Sequence, residues 1–116
     1  MGLLTNHKNA KIDISKLRDY CLSENHSFGK FKARVFYSAL SLKSIDADYL
    51  KLEISKGLNV FNAVESRGTR YGKIFYVDMI IGNFDRTKQT EVRTAWIILN
   101  GEEHPNLISC YVKKTV

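Results

Sequence analysis

The stretch Tyr71-Gly72-Lys73-Ile74-Phe75-Tyr76-Val77-Asp78-Met79-Ile80-Ile81 decides the fold. It is dense in aromatic and β-branched residues, which suit a pleated, half-buried surface and predict a strand. Working outward, Gly82-Asn83-Phe84-Asp85-Arg86 predicts a turn and residues 90–99 a further strand. Asn100-Gly101 predicts a second turn, and residues 107–112 close the sheet after Pro105. On the other side, Arg67-Gly68-Thr69-Arg70 is a turn preceded by a strand over 59–66. Before Gly57 the period changes to that of helices. Ser15 can cap a helix over about 16–23, with Leu17, Tyr20 and Cys21 on one face. Residues 24–29 break it, and a second helix over about 30–40 would bury Val35, Phe36, Ala39 and Leu40. Asp46 can start a third, in which Tyr49, Leu50, Glu53 and Ile54 keep helical spacing. Helices first and a meander of four strands afterwards is an α+β layout, with N-terminal helices packed on a four-stranded antiparallel sheet. Strand parity sets Val92, Thr94, Trp96 and Ile98 against Glu91, Arg93, Ala95 and Ile97. Both sets are mixed, so parity leaves the core face open.

The chain has 116 residues, enough for one domain and not for two, with residues 1–10 expected to fray. Apolar and charged fractions of 44% and 26% are those of a globular protein, not a disordered one. A formal charge of +6 and a pI near 9.4 favour an acidic partner, nucleic acid or protein. The cations are scattered (Lys30, Lys32, Arg34, Arg67, Arg70, Lys73, Arg86, Lys88, Arg93, Lys113, Lys114), so only folding could gather them into a patch. Cys21 and Cys110 are too few for a disulfide framework or zinc site and read as buried thiols. No apolar run reaches membrane-span length, and the N-terminus lacks a signal-peptide profile. The acids form no pair at two-metal nuclease spacing, and His7 and His104 have no metal-ligand spacing; no metal or cofactor is expected.

The run His26-Ser27-Phe28-Gly29-Lys30-Phe31-Lys32-Ala33-Arg34-Val35-Phe36 carries the chemistry. It sets an imidazole, the side chain that ordinarily changes charge near neutral pH, just before a helix start rich in cations. Breaking a phosphodiester without a metal needs both, a proton carrier and positive charge for the developing phosphorane.

In order and spacing, several motifs resemble a domain family of unknown function found in bacterial polymorphic toxins and phage-linked proteins. They are Lys16-Leu17-Arg18-Asp19-Tyr20-Cys21-Leu22, the His26-to-Phe36 run and the strand from Gly68 through Tyr71 to Val77. Val92-Arg93-Thr94-Ala95-Trp96-Ile97-Ile98 and Pro105-Asn106-Leu107-Ile108-Ser109-Cys110-Tyr111 complete the set. That family is similar to the superfamily uniting barnase, EndoU, the tRNA-cleaving colicins and RelE-type toxins (BECR). The resemblance implies a BECR-like fold and a metal-independent endoribonuclease toxin acting on RNA, with tRNA the expected target. Such a toxin would act in a bacterial cytoplasm, delivered as the end of a secreted protein, and would need an acidic immunity protein or antitoxin. Ser27 replaces the family's usual proline, Ser109 its threonine and Cys110 its alanine. Serine keeps the hydroxyl, and cysteine for alanine is expected to change packing more than chemistry.

The implied catalytic set is His26, Lys32, Arg93 and Ser109, with Lys30, Arg34 and Tyr111 as RNA contacts. His26 would be general base or acid for attack by the 2′-hydroxyl, leaving a 2′,3′-cyclic phosphate; alternatively it closes the first helix through a backbone hydrogen bond. Lys32 matches the family lysine and sits one turn into the next helix, while Lys30 is a solvated phosphate contact and Arg34 either that or a surface residue. Arg93 either clamps phosphate or pairs with Glu91 or Glu53. Ser109 either binds a phosphate oxygen or fills a packed face. Trp96 and Tyr111 could stack on bases, with core the stronger reading for Trp96. The rival function is a non-catalytic module of the same fold, holding RNA or an acidic protein on its basic face.

Overall fold

A computed structural model describes residues 2–27 and 29–113. Phe28 of the expected break and Lys114 of the basic set lie outside the described residues. Three helical segments pack on a four-stranded antiparallel sheet of order β1-β2-β3-β4, an α+β fold. The strands are β1 (Ala63–Glu65), β2 (Gly72–Gly82), β3 (Gln89–Leu99) and β4 (Asn106–Val112). The expected strand over 59–66 shrinks to β1, because Asn59 and Val60 are still winding out of the preceding helix: their amides donate to Lys56 and Gly57 carbonyls.

The first helix begins two residues early and is not capped by Ser15. Asp13 is the cap, its carboxylate accepting the Ser15 amide at 3.0 Å, and α1 runs Ile14–Lys16. It then widens into a π-helical turn, Leu17–Cys21, closed by the Leu22 amide on the Leu17 carbonyl. A π turn advances more residues per revolution than an α turn, so Leu17, Cys21 and Leu22 all face inward, and all are buried. Helix α2 (Lys30–Leu40) buries Ala33, Phe36 and Leu40. Val35, expected inside, is 46% exposed: the core-facing stripe at Ala33, Phe36 and Leu40 leaves it on the flank. Helix α3 (Ala47–Gly57) follows Asp46 as expected and buries Leu50, Glu53 and Ile54. The buried Glu53 carboxylate is held by Arg86 at 2.9 Å and Lys56 at 3.3 Å, tying α3 to the β2–β3 turn.

The structure settles which sheet face is core. Val77, Met79, Ile81, Val92, Thr94, Trp96, Leu107 and Cys110 lie under the helices and are buried. Trp96 is fully inside: its indole N–H donates to Thr94 Oγ1 at 2.7 Å, and that hydroxyl donates to the Val77 carbonyl at 2.8 Å, so neither polar group is orphaned. The other face carries Tyr76, Asp78, Glu91, Arg93, Ala95 and Ile97, all partly exposed.

Residues 2–10 make contacts with the body of the domain. Leu4 is in the core, the Gly2 carbonyl accepts the Ala63 amide, and His7 bridges the Leu4 carbonyl and the Asn59 side chain. Lys11 makes a parallel bridge to Asn106, extending the sheet past β4. No described helix is long and apolar enough to cross a membrane.

Candidate functional site

The site grows from three elements meeting at the β4 edge. In the β3–β4 ladder Ala95 pairs with Ser109 but Trp96 with Leu107, which leaves Ile108 as an extra residue. Such a bulge turns the strand and re-aims its side chains, and Ser109 comes to face the helices. Lys32, in the first turns of α2, donates through Nζ to Ser109 Oγ at 3.0 Å and to the Tyr20 hydroxyl at 3.3 Å. Its ammonium also lies 4.8 Å from the Tyr20 ring centre and 5.5 Å from that of Tyr111. These partners are all neutral, so no carboxylate among the described contacts cancels the charge of this half-buried lysine. His26 packs edge-on against the same Tyr20 ring, 4.6 Å between centres. Lys32, Ser109, Tyr20 and His26 are thus brought together. A cleft of about 530 Å³ opens on Tyr20, His26 and Ser109.

The π turn supplies Tyr20 to this cluster, and Gly29 lets it close. A Cβ at Gly29 would stand 2.1 Å from the Tyr20 carbonyl oxygen, so the loop after His26 can pack there only as glycine. The Gly29 amide donates to His26 Nδ1 at 2.9 Å, and the Lys30 amide to the His26 carbonyl. His26 does not close the first helix, which ends at Cys21; its backbone hydrogen bonds tie it to Gly29 and Lys30 at the start of α2. With Nδ1 accepting, the neutral imidazole carries its proton on Nε2.

Behind Ser109 lie both cysteines. Cys21 Sγ is 3.7 Å from Ser109 Oγ. A hydrogen bond from the Cys110 thiol lowers the Cys21 pKa to about 6 against the opposition of burial, with the Cys110 amide, Ser109 hydroxyl and Lys32 charge adding to it. The same bond, with complete burial, pushes Cys110 well up, so one proton serves the two sulfurs. Cysteine for alanine at 110 therefore changes chemistry as well as packing. The sequence held no sign of this pairing, since the two residues are distant in the chain.

Arg93 is not brought into the cluster. Its guanidinium grips Asp78 with two bonds, 2.8 and 3.0 Å, on the face away from the helices. Asp78, its partner across the β2–β3 ladder, is neither of the acids expected, and Lys113 joins at 3.0 Å. The Asp78 bonds push the Arg93 pKa up and hold that of Asp78 below the usual carboxylate range. Tyr111 faces Arg93 across the β3–β4 ladder and reaches Lys32 with its ring, so it stands between the two cations. Lys30 and Arg34 both lie over the exposed Phe31 ring, at 5.3 and 5.6 Å, outside the cluster. His104 Nε2 lies 3.5 Å from the Glu102 carboxylate. Among the described residues no three His, Cys, Asp or Glu side chains gather as a metal-binding group.

Fold and site define a small α+β domain with a lysine that has no carboxylate partner among the described contacts, and a histidine, at the edge of its sheet. The chain belongs to the family described as Domain of unknown function (DUF6883), whose model matches residues 3–114. No curated protein and no solved structure matches it.

Proposed function

We propose that this domain is a metal-independent endoribonuclease toxin of BECR type, cleaving RNA, with tRNA its expected target, by attack of the 2′-hydroxyl on the adjacent phosphate. The observation that carries the reading is the Lys32 ammonium. It is half-buried, held by the Ser109 and Tyr20 hydroxyls between two aromatic rings, and those two residues line the cleft that His26 borders. No carboxylate among the described contacts competes for that charge, and its attraction to a bound phosphate strengthens as charge grows on the phosphorane. Ser109, already fixed by Lys32, would donate its hydroxyl to a phosphate oxygen.

In this geometry the neutral imidazole accepts from the Gly29 amide at Nδ1 and carries its proton on Nε2. To protonate the leaving 5′-oxygen it must become imidazolium, and to take the 2′-hydroxyl proton at Nε2 it must move its own proton to Nδ1, so either role requires Nδ1 to release Gly29. Arg93, spent on Asp78, becomes a positioning residue for Tyr111 rather than a phosphate clamp. Lys30 and Arg34 are left as outer contacts for the RNA backbone. The toxin reading carries with it action in a bacterial cytoplasm, delivery at the end of a secreted chain, and an acidic immunity protein or antitoxin over the basic cleft.

One observation favours the rival, a non-catalytic binding module: His26 has a structural task in tying its loop to the start of α2. Purified protein incubated with tRNA in EDTA separates the two. The nuclease gives discrete fragments ending in 2′,3′-cyclic phosphate, lost by about 10²–10⁴-fold in His26→Ala. RNA that stays intact at every protein concentration, while still bound, establishes the module.

A further inference from the structure

We propose that the edge of β4 carries a continuous track for one strand of RNA, with a second phosphate subsite in the cleft ringed by Lys11, Lys16 and Lys51. The inference rests on the nucleic-acid reading of the His26 site and assigns it residues outside the expected basic set. This cleft has a volume of about 600 Å³, and Ala10, Ile12 and Leu107 contribute apolar lining to it. Its three lysines come from separate segments: Lys11 from the bridge to Asn106, Lys16 from α1 and Lys51 from the outer side of α3. Among the described contacts none of them has an acidic ion-pair partner. The one acid in the lining, Asp13, turns its carboxylate to the Ser15 amide and hydroxyl at 3.0 and 2.7 Å. Positive charge in a walled cleft focuses its field on an approaching polyanion.

The clefts line up. Asn106 and Leu107 border the lysine cleft, Ile108 and Ser109 the His26 cleft, and Tyr111 and Val112 a third of about 300 Å³ with Phe31, Lys32 and Val35. Lys16 lines both of the first two. The series follows consecutive residues of β4 for roughly 20 Å at the rise of an extended strand. Its order is cationic, then the candidate reacting site, then apolar and aromatic. A nucleic-acid strand offers that alternation in repeat, phosphates for lysines and base faces for Phe31 and Tyr111. An acidic polypeptide satisfies the lysines but gives no reason for the reacting site to lie mid-track.

The test uses 2′-O-methyl oligonucleotides, which lack the attacking hydroxyl, of about four and about twelve nucleotides. Binding is read by fluorescence anisotropy across a salt series for the native chain, for K11Q/K51Q and for the charge-matched K43Q/K88Q near the β2–β3 turn. The track predicts that K11Q/K51Q weakens the longer oligonucleotide about tenfold and lowers its log–log salt slope by about 1.4, at ~0.7 per lost single-strand contact. The shorter one should lose less, and K43Q/K88Q should change neither. Equal weakening by both variants, or none by K11Q/K51Q, overturns the track. Loss of polyglutamate binding in K11Q/K51Q with RNA binding intact also overturns it, in favour of an acidic protein partner. Cleavage of tRNA by the native chain is scored separately: no cleavage alongside Lys11- and Lys51-dependent binding supports the track and retires the nuclease.

Discussion

Lys32 shows how a residue's surroundings turn a common side chain into a candidate site. On an exposed helix a lysine is a solvated charge; here its partners are the Ser109 and Tyr20 hydroxyls and two aromatic rings. Lys32→Met keeps the stem and removes the charge, so cleavage should fall about 10²–10³-fold with the fold retained. Undiminished tRNA cleavage by that variant, measured at saturating substrate, would remove Lys32 from the mechanism. The thiol pair gives a second residue-level prediction with a definite sign. The folded Cys21 value of about 6 lies below the ordinary thiol value of 9.0, so its thiolate stabilises the fold fully above pH 9.0 and the gain is lost as pH falls through about 6. Cys110 acts in the opposite sense: above pH 9.0 only the unfolded chain ionises it readily. Urea midpoints should therefore rise between pH 6 and 9 and turn over beyond, and Cys21→Ala should flatten the rise. A flat native profile would show that the pair holds both its protons.

At the scale of elements, α2, α3 and the three long strands were legible because each carries its own period or its own β-branched and aromatic composition. The π turn was not. Its extra residue answers a packing need, three inward side chains at Leu17, Cys21 and Leu22, which appears only once β4 lies alongside. Gly29 read as a helix-breaking residue; its φ of −76° suits any residue, and the reason for glycine is the Tyr20 carbonyl against it. Gly29→Ala should then destabilise the domain by about 1–3 kcal/mol, as overpacking against backbone does, and disturb His26 as well. Chemical denaturation, with the imidazole followed by NMR, checks both parts; an unshifted melting curve would contradict the close approach. Trp96→Ala should cost more, about 3–5 kcal/mol, since it empties the centre of the sheet's packed face and leaves Thr94 with one partner fewer.

Taken as a whole, the molecule segregates its charge by sheet face and edge. The exposed face neutralises its own: Asp78 binds Arg93 and Lys113, while Lys113 also lies 3.7 Å from Glu91. At the β4 edge Lys11, Lys16, Lys51 and Lys32 form no ion pair with an acid among the described contacts. Because Asp78 is held below the usual carboxylate range by Arg93, its contribution is present above pH 3.8 and is lost as pH falls through its folded value. Asp78→Asn should cost about 1–2 kcal/mol near neutral pH, after discounting for solvent at a partly exposed pair, and remove that acid-labile component. Equal acid midpoints for the two proteins, each referred to its own neutral stability, would refute the assignment. The sequence by itself determined the α+β order of elements, the turns, the basic balance, and His26 and Lys32 as residues to watch. These depend on local periodicity, composition and short spacing. Only the tertiary structure decided which sheet face is core, that Asp78 takes Arg93, that Cys21 meets Cys110, and that lysines from three separate segments share one cleft. Those are contacts between distant parts of the chain, fixed by strand register, a single bulge in β4 and the burial of the helices, and no local pattern encodes them.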